Sequence, residues 1–269
     1  MTDHYAGSGD LAVAIAEALR AAGLEPDGIP TSALAPVDEF HIRGRRASLE
    51  IAEALRVDPA SRVLDIGCGL GGPARTIAEV TGAHVTGVDL TPAFCAAATA
   101  LSAWTGLSDR TSFVEGDATA LPMPDTSFDG ALSVHVGMNI EDKAALYREA
   151  HRVLRPGSRF VVYDVVRGPG PEIRYPVPWA RDTSTSFLVS MADLSRLLES
   201  TGFSVLDVTD SSAAGLAWFE QMAARAAHSD TPPVTFATFL GADFPLMARN
   251  QVANLRDGAI QVATFVCEA

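Results

Sequence analysis

A glycine-rich turn flanked by acidic residues is the strongest chemical signal in the sequence. Gly67, Gly69 and Gly72 satisfy the pattern G-x-G-x-x-G at the end of an apolar segment, and such a turn lets a ligand approach the backbone closely. Asp89 ends the next apolar segment, where a carboxylate can accept hydrogen bonds from ribose hydroxyls. The pattern predicts a site for a ribose-containing cofactor, either NAD(P) or S-adenosyl-L-methionine (SAM).

Two further acids favour SAM over NAD(P). Asp65 lies just before the first glycine of the turn. Its carboxylate would repel a pyrophosphate, whereas it would stabilise the ammonium and sulfonium groups of SAM. Asp117 ends a later segment, where it can accept a hydrogen bond from the adenine amino group while the N–H of Ala118 donates to a ring nitrogen. We therefore predict SAM, with S-adenosyl-L-homocysteine as its product, and keep an NAD(P)-dependent oxidoreductase as the alternative.

The remaining predicted cofactor contacts lie in the turn or at the ends of the same segments. They are Cys68, Leu90, Ser133 and Val134. No metal is expected, because the three cysteines of the chain are scattered and form no zinc-ligand pair.

Two residues are candidates for proton transfer: His135 follows the fourth apolar segment, and Asp164 lies near the end of the fifth. With SAM as cofactor, the nucleophile must be held about 3–3.5 Å from the methyl carbon in its unprotonated form. His135 is predicted to accept a proton or a hydrogen bond from it, because a neutral imidazole can do so at pH 7. Asp164 is predicted to orient His135 or to contact the substrate directly. The alternatives are that His135 only lines the cofactor pocket and that Asp164 only ends a strand or caps a helix.

Arg181 is the predicted ligand for a substrate carboxylate, since a guanidinium can bind a carboxylate with two hydrogen bonds. A structural ion pair, for example with Asp182, is the alternative. The other residues predicted on the substrate side are Met138, Asn139, Trp179 and Asn250.

Strand and helix patterns alternate along the chain, which predicts an α/β fold with a parallel sheet and helices on both faces. The predicted strands are Arg62–Ile66, His84–Asp89, Thr111–Glu115, Phe128–Val134, Arg159–Val166, Phe203–Val208 and Ile260–Cys267. The predicted helices cover residues 8–24, 45–56, 72–81, 92–105, 141–154 and 190–201, and 212–256 is mostly helical. Ligands of such sheets bind beyond the carboxyl ends of the strands, where the candidate residues lie.

Three segments do not fit the minimal alternation and are predicted to form a helical cap over that edge. Residues 1–56 form an N-terminal cap segment, and residues 57–269 form a Rossmann-like domain with cap insertions at 167–188 and 212–256. Long connections in compact domains are commonly functional. The alternative is that these segments merely cover one face of the sheet.

Composition limits the class of partner. The net charge of −13 disfavours nucleic-acid substrates, which require a basic surface. No apolar run approaches the roughly 18–20 residues that span a bilayer, and the N-terminus lacks the basic region of a signal peptide. We therefore expect a soluble, cytoplasmic protein that acts on a small molecule without nucleic acid or membrane. Monomer and homodimer both remain open.

Several motifs resemble class I SAM-dependent methyltransferases. The similar segments are Asp65-Ile-Gly-Cys-Gly, residues 116–129 and residues 151–157. The resemblance implies a Rossmann-like, seven-stranded, mostly parallel sheet with the last strand antiparallel. It also implies that Arg43 contacts the SAM carboxylate and that Tyr5 reaches the cofactor similarly. Methyl transfer to an amine nitrogen or a hydroxyl oxygen of a small metabolite or natural product is the implied activity, with a non-methylating SAM-binding protein as the alternative.

A narrower resemblance concerns residues 40–44, 69–75 and 176–180. These segments are similar to the branch that contains sarcosine/dimethylglycine-type N-methyltransferases and related small-molecule enzymes. The placement of His135 and Asp164 is also similar to a histidine–carboxylate pair in some sugar O-methyltransferases of the superfamily. The resemblance implies a small acceptor and leaves its identity open.

Overall fold

The computed structural model describes residues 11–227 and 243–269, and these residues contain one seven-stranded sheet. Its strands are β1 (Arg62–Ile66), β2 (His84–Asp89), β3 (Thr111–Glu115), β4 (Phe128–Val134), β5 (Leu154–Arg167), β6 (Ser204–Asp210) and β7 (Ile260–Glu268). The strand order is β3-β2-β1-β4-β5-β7-β6. The first five strands pair in parallel, while β7 runs antiparallel to both of its neighbours. The predicted Rossmann-like sheet with its last strand antiparallel is confirmed.

Helices connect the strands and precede the sheet. They are α1 (Leu11–Ala21), α2 (Thr31–Asp38), α3 (Arg45–Leu55), α4 (Gly72–Thr81), α5 (Pro92–Trp104), α6 (Lys143–Val153), α7 (Met191–Ser200), α8 (Ser212–Ala227) and α9 (Phe244–Arg256). None of these helices is both long enough and apolar enough to cross a membrane. Tyr5 and part of the predicted 212–256 helical segment lie outside the described residues.

The structure differs from the predicted elements most clearly at two places, the start of β5 and helix α2. β5 begins at Leu154 rather than Arg159, because Leu154 already pairs with Phe128 before the register shifts. α2 lies between the predicted helices at 8–24 and 45–56, in a stretch for which no helix was predicted, and Pro36 lies inside it. Proline removes one helical hydrogen bond. Burial of Leu34 and Val37 against neighbouring helices stabilises this short helix regardless of its propensity.

The sheet carries a hydrophobic layer on each face, as the period of two along a strand requires. Val63 of β1 packs in the layer that contains α3 and α4, whereas the adjacent Leu64 packs in the layer that contains α6 and α7. A third cluster joins α1 and α2 to α5 and to Leu70 in the glycine turn. The three clusters fix the carboxyl ends of β1, β2 and β4 at one edge.

A buried ion pair attaches the N-terminal helices to the sheet domain. Arg75 of α4 donates to Asp38 at the end of α2 across 2.7 Å, and both side chains are almost fully buried. Arg75 also donates to the carbonyl oxygens of Leu70 and Ala98. The predicted boundary at residue 56, between the N-terminal cap segment and the Rossmann-like domain, stays a prediction. Through Arg75, α2 is joined directly to α4, to the glycine turn and to α5.

Candidate functional site

A cavity of about 1100 Å³ opens at the carboxyl ends of the parallel strands. The glycine turn, the residues after β2, β3 and β4, the segment between α2 and α3, and parts of α8 and α9 all line it. Sites for a single small ligand commonly measure roughly 300–1,000 Å³. The cavity is therefore large enough for a cofactor and an acceptor side by side.

The glycine turn approaches the cavity with its backbone. The N–H groups of Gly67 and Cys68 both donate to the carbonyl of Val88, which holds the turn against β2. Gly67 has a positive φ of 74°, and a Cβ there would overlap the side chain of Val136. Gly69 also has a positive φ, but a Cβ there would meet no protein atom within 4 Å. The surface of the turn at Gly69 is therefore open to a ligand.

Asp65 presents an unpartnered carboxylate oxygen beneath this turn. The residue is 1% exposed, and its Oδ2 lacks a hydrogen-bond partner among the described residues. Burial, followed by the negative charge of Asp89, raises the pKa of Asp65 to about 8. A buried carboxylate of this kind is stabilised by a cationic group, and the ammonium of SAM would supply one.

Asp89 and Asp117 continue the acidic edge after β2 and β3. Asp89 accepts hydrogen bonds from the N–H groups of Gly69 and Thr91, each at 2.9 Å, while burial raises its pKa. Asp117 accepts from the N–H and hydroxyl of Thr119, which lower its pKa. Both carboxylates line the cavity and retain lone pairs for the hydroxyl and amino groups of an adenosine.

Most of the other predicted cofactor residues reach the cavity. Leu90, Cys68, Ala118, Val134 and Arg43 line it.

Ser133 does not line the cavity. Its side chain is 1% exposed, and its hydroxyl has no partner among the described residues. Because side chains alternate along a strand, Val134 of the same strand faces the opposite way. Ser133 contacts a cofactor at most through its backbone.

Arg43 occupies a position with backbone strain. Its φ of 71° is positive, which is uncommon outside glycine and concentrates at functional sites. Its guanidinium pairs with Glu50, and the hydroxyl of Tyr163 also lies close to it. The predicted contact between Arg43 and a SAM carboxylate remains a prediction, supported by its place on the cavity wall.

His135 is the second non-glycine cavity residue with a positive φ, at 55°. Its backbone N–H donates to the carbonyl of Tyr163, and its ring stacks on the Tyr163 ring with centroids 5.3 Å apart. Its Nε2 is buried without a partner among the described residues. Burial, and then the nearby His41, lower its pKa well below the ordinary value. The ring is therefore neutral at pH 7, and His135 lines the cavity.

Asp164 does not join His135 at the cavity. Tyr163 faces the layer that contains the cavity, so Asp164, the next residue of β5, points to the other face. Its carboxylate accepts from the N–H of Val165 at 2.9 Å and lies beside Lys143 and the N–H groups of Gly137 and Met138. Burial raises its pKa to about 7. The expected His135–Asp164 arrangement is corrected: Asp164 supports the turn after β4 from behind.

A histidine that the sequence reasoning did not assign lies opposite His135. The His41 ring contacts the His135 ring edge-on with centroids 5.9 Å apart, and it contacts Tyr163 similarly at 6.0 Å. Its Nε2 lies 3.0 Å from the Gly44 carbonyl oxygen. Burial lowers the pKa of His41 to about 4. In the sequence, His41 was marked only by lying in residues 40–44, a segment that resembles small-molecule methyltransferases.

Two buried polar residues lie behind His41. Ser48 is 3.4 Å from His41 Nε2 and donates to Glu39, whose carboxylate lies 3.6 Å from the same nitrogen. Glu39 also accepts from the Thr76 hydroxyl at 2.5 Å. Burial raises the pKa of Glu39, and the two hydroxyl donors oppose that rise.

The predicted substrate residues divide into two groups. Met138, Asn139 and Trp179 line the cavity. The Asn139 amide also donates to the carbonyls of Trp179 and Thr185, so it holds the 178–187 segment in place as well as facing the cavity.

Arg181 and Asn250 lie away from the cavity wall. The Arg181 side chain is 64% exposed and pairs with Asp243 across 3.2 Å, which fits the alternative of a structural ion pair with a different partner. Asn250 donates to the Pro176 carbonyl at 2.9 Å. Within residues 11–227 and 243–269, no cluster of three or more potential metal ligands occurs.

Comparisons with known proteins identify the middle of the chain. Residues 64–162 match a family described as a methyltransferase domain. A sterol 24-C-methyltransferase from Gibberella zeae is 40% identical over 114 residues, which cover 42% of this chain and 30% of that protein. An O-methyltransferase from Pyrenophora dematioidea is 31% identical over 176 residues, 65% of this chain and 66% of that protein. The chain thus spans about a third of the sterol enzyme's length.

A solved structure extends the similarity to nearly the whole chain. The [4+2]-cyclase SpnF is 27% identical, with a TM-score of 0.65, and the match covers 96% of this chain and 93% of that chain. Other solved chains with this fold hold SAM or S-adenosyl-L-homocysteine.

Proposed function

We propose that this chain, which carries a class I SAM-dependent methyltransferase domain, methylates a hydroxyl oxygen of a small, largely apolar metabolite. Membership in this class confirms SAM rather than NAD(P) as the cofactor. The observation that carries the rest is the neutral His135 ring with its unpartnered Nε2, on the same cavity as the glycine turn.

The acidic edge of the cavity fits SAM. Asp65 would pair with the ammonium group, Asp89 would accept from the ribose hydroxyls and Asp117 would accept from the adenine amino group. When bound, SAM supplies an electrophilic methyl carbon on a sulfonium, and the C–S electron pair leaves with S-adenosyl-L-homocysteine. The chain itself must hold the acceptor oxygen in line with that carbon and receive its proton.

The rest of the cavity favours a neutral, apolar acceptor. Aromatic side chains from the 178–187 segment, α8 and α9 line it, namely Trp179, Phe187, Trp218, Phe219 and Phe244. An ammonium would lose more hydration energy among these rings than a hydroxyl would. A hydroxyl must give up its proton during transfer, and the cavity wall offers two neutral imidazoles, His135 and His41, that could accept it. The O-methyltransferase relative agrees with this choice.

A non-methylating role is the second candidate. The solved structure that is 27% identical over nearly the whole chain is a [4+2]-cyclase. In this alternative the same cavity would bind an apolar substrate beside a SAM molecule that is never consumed.

One experiment separates these candidates. The full chain is incubated with SAM and a panel of phenols, sterols, sugars and amines, and S-adenosyl-L-homocysteine and products are quantified by mass spectrometry. We expect one S-adenosyl-L-homocysteine for each O-methylated product. Exclusive N-methylation would overturn the hydroxyl acceptor, and substrate conversion without S-adenosyl-L-homocysteine would establish the second candidate. Calorimetry that detects NADH binding and no SAM binding would overturn the whole proposal.

A further inference from the structure

The hydrogen bonds of His41 fix which of its ring nitrogens can act as a base. Its Nε2 lies 3.0 Å from the Gly44 carbonyl oxygen, and a carbonyl oxygen can only accept, so Nε2 carries the hydrogen. The buried ring is neutral at pH 7, because its pKa is lowered to about 4. Nδ1 is therefore unprotonated. The His41 ring also lines the cavity.

The groups behind His41 are ordered to stabilise a positive charge on it. The Nε2–H also points toward Ser48 Oγ at 3.4 Å, and Ser48 in turn donates to Glu39 Oε2. The hydrogen bonds therefore run in one direction, from the His41 N–H to the Ser48 hydroxyl and from that hydroxyl to the Glu39 carboxylate. The His41, Ser48 and Glu39 side chains are all buried, where such interactions are stronger than in water.

His135 lacks this support. Its Nε2 has no partner among the described residues, so no hydrogen bond to that nitrogen selects its tautomer. Its ring is held by stacking on Tyr163 and by the edge contact with His41. These contacts hold the His135 ring in place, as is needed for a residue that positions the acceptor.

We infer that His41 is the catalytic base and that its Nδ1 takes the proton of the acceptor hydroxyl, while Ser48 and Glu39 are positioning residues for it. The acceptor oxygen forms its bond to the methyl carbon, the C–S bond breaks with its electron pair on sulfur, and the proton moves to Nδ1. The resulting imidazolium is stabilised by the Ser48–Glu39 pair and then releases the proton to water. His135 contacts and orients the acceptor. This inference rests on the proposed O-methyl transfer.

The tautomer can be tested without SAM or any activity. Two-bond ¹H–¹⁵N spectra of the ligand-free protein, assigned with a His41→Gln variant, should show His41 neutral at pH 7 with its hydrogen on Nε2. A hydrogen on Nδ1 would overturn the inference, since that nitrogen could no longer accept. The measurement stays informative even where the variant folds poorly, because the ring is observed in the unaltered chain.

Kinetics then test the role. His41→Ala should lower kcat about 10²–10⁴-fold, leave the calorimetric Kd for SAM within a few-fold, and recover activity with added imidazole. Ser48→Ala, which keeps the His41 ring, should lower kcat about two- to tenfold, the equivalent of one hydrogen bond. The matched control is Ser127→Ala, a buried hydroxyl that donates to the Pro124 carbonyl, which should leave kcat unchanged.

The failures are distinguishable. An unaltered chain that methylates no hydroxyl defeats the proposed function itself. An active chain in which Ser48→Ala matches Ser127→Ala, and in which imidazole fails to rescue a folded His41→Ala variant, defeats only the assignment of His41 and leaves His135 as the base.

Discussion

Among single residues, Asp65 couples ligand binding to protonation. Burial raises its pKa to about 8, above the ordinary value, so the carboxyl group is mostly protonated at pH 7 without ligand. The protonated form stabilises the ligand-free fold, and this contribution is lost as the pH rises from about 4 through about 8. An ammonium beside Asp65 reverses the preference, because it stabilises the ionised form.

We therefore predict that SAM binding releases about one proton. Affinity should rise by up to about tenfold per pH unit between pH 6 and 8, until the α-amino group of the ligand itself deprotonates at roughly pH 8. Calorimetry in two buffers of different ionisation enthalpy measures the proton directly. Asp65→Asn should bind SAM weakly and release none. An affinity that is independent of pH over this range would contradict the role of Asp65.

The elements that form the site depend on glycines for two separable reasons. At Gly67 the turn must adopt a positive φ while the Val136 side chain lies against it. At Gly69 the φ is also positive, but the space beside it is empty of protein atoms. Gly67 is thus required by both its backbone conformation and packing, whereas at Gly69 only the positive φ and the proposed contact with SAM favour glycine.

Alanine substitutions should separate these requirements. Gly67→Ala should destabilise the ligand-free fold by about 2–5 kcal/mol, from backbone strain plus overpacking. Gly69→Ala should cost about 1–2 kcal/mol and also weaken SAM binding. Gly106→Ala is the control, since its φ is positive in open space away from the cavity. Denaturant unfolding and SAM titration measure both effects, and equal SAM affinity in Gly69→Ala and Gly106→Ala would refute the assignment.

The buried Asp38–Arg75 pair determines how α2 docks. Removing one partner leaves the other buried charge unpaired. Arg75→Met, which leaves the Asp38 carboxylate without its cation, should therefore destabilise the protein by about 3–5 kcal/mol. Arg155→Met, which breaks the partly exposed pair with Asp129, should cost under about 1 kcal/mol. The Asp38→Asn/Arg75→Met double variant should lose less than the sum of its single variants. Strictly additive losses in urea unfolding would argue against direct coupling.

Across the whole molecule, charge and cavity shape limit the acceptor. The net charge of −13 opposes phosphate-rich polymers, which bind by displacing counterions from basic surfaces. The 1100 Å³ cavity admits small molecules, and its aromatic lining favours apolar ones.

We predict that small apolar hydroxyl compounds are methylated in preference to nucleic acids and to charged amines. Competition assays with radiolabelled SAM, at equal concentrations of a phenol, a sterol, tRNA and duplex DNA, measure the preference. The rate with either nucleic acid should stay at the background level at low and at physiological salt. Methylation of tRNA above all the small acceptors would refute the prediction.

The sequence by itself determined the features that depend on local pattern. Short apolar segments located all seven strands, because such a run is encoded within a few neighbouring positions. The glycine turn with Asp65, Asp89 and Asp117 was predictable for a related reason: each acid lies at or just beyond the carboxyl end of a parallel strand, and those ends must meet at one edge.

Only the tertiary structure decided the features that depend on which face a side chain takes and on distant packing. Asp164 ends on the far side of β5 because pairing with β4 and β7 places Tyr163 toward the cavity. The His41–Ser48–Glu39 series joins the α2–α3 segment to a cavity wall formed after β4, a meeting that no local pattern encodes. Helix α2 exists despite Pro36 for the same reason, since burial against α1 and α5 outweighs its weak intrinsic propensity.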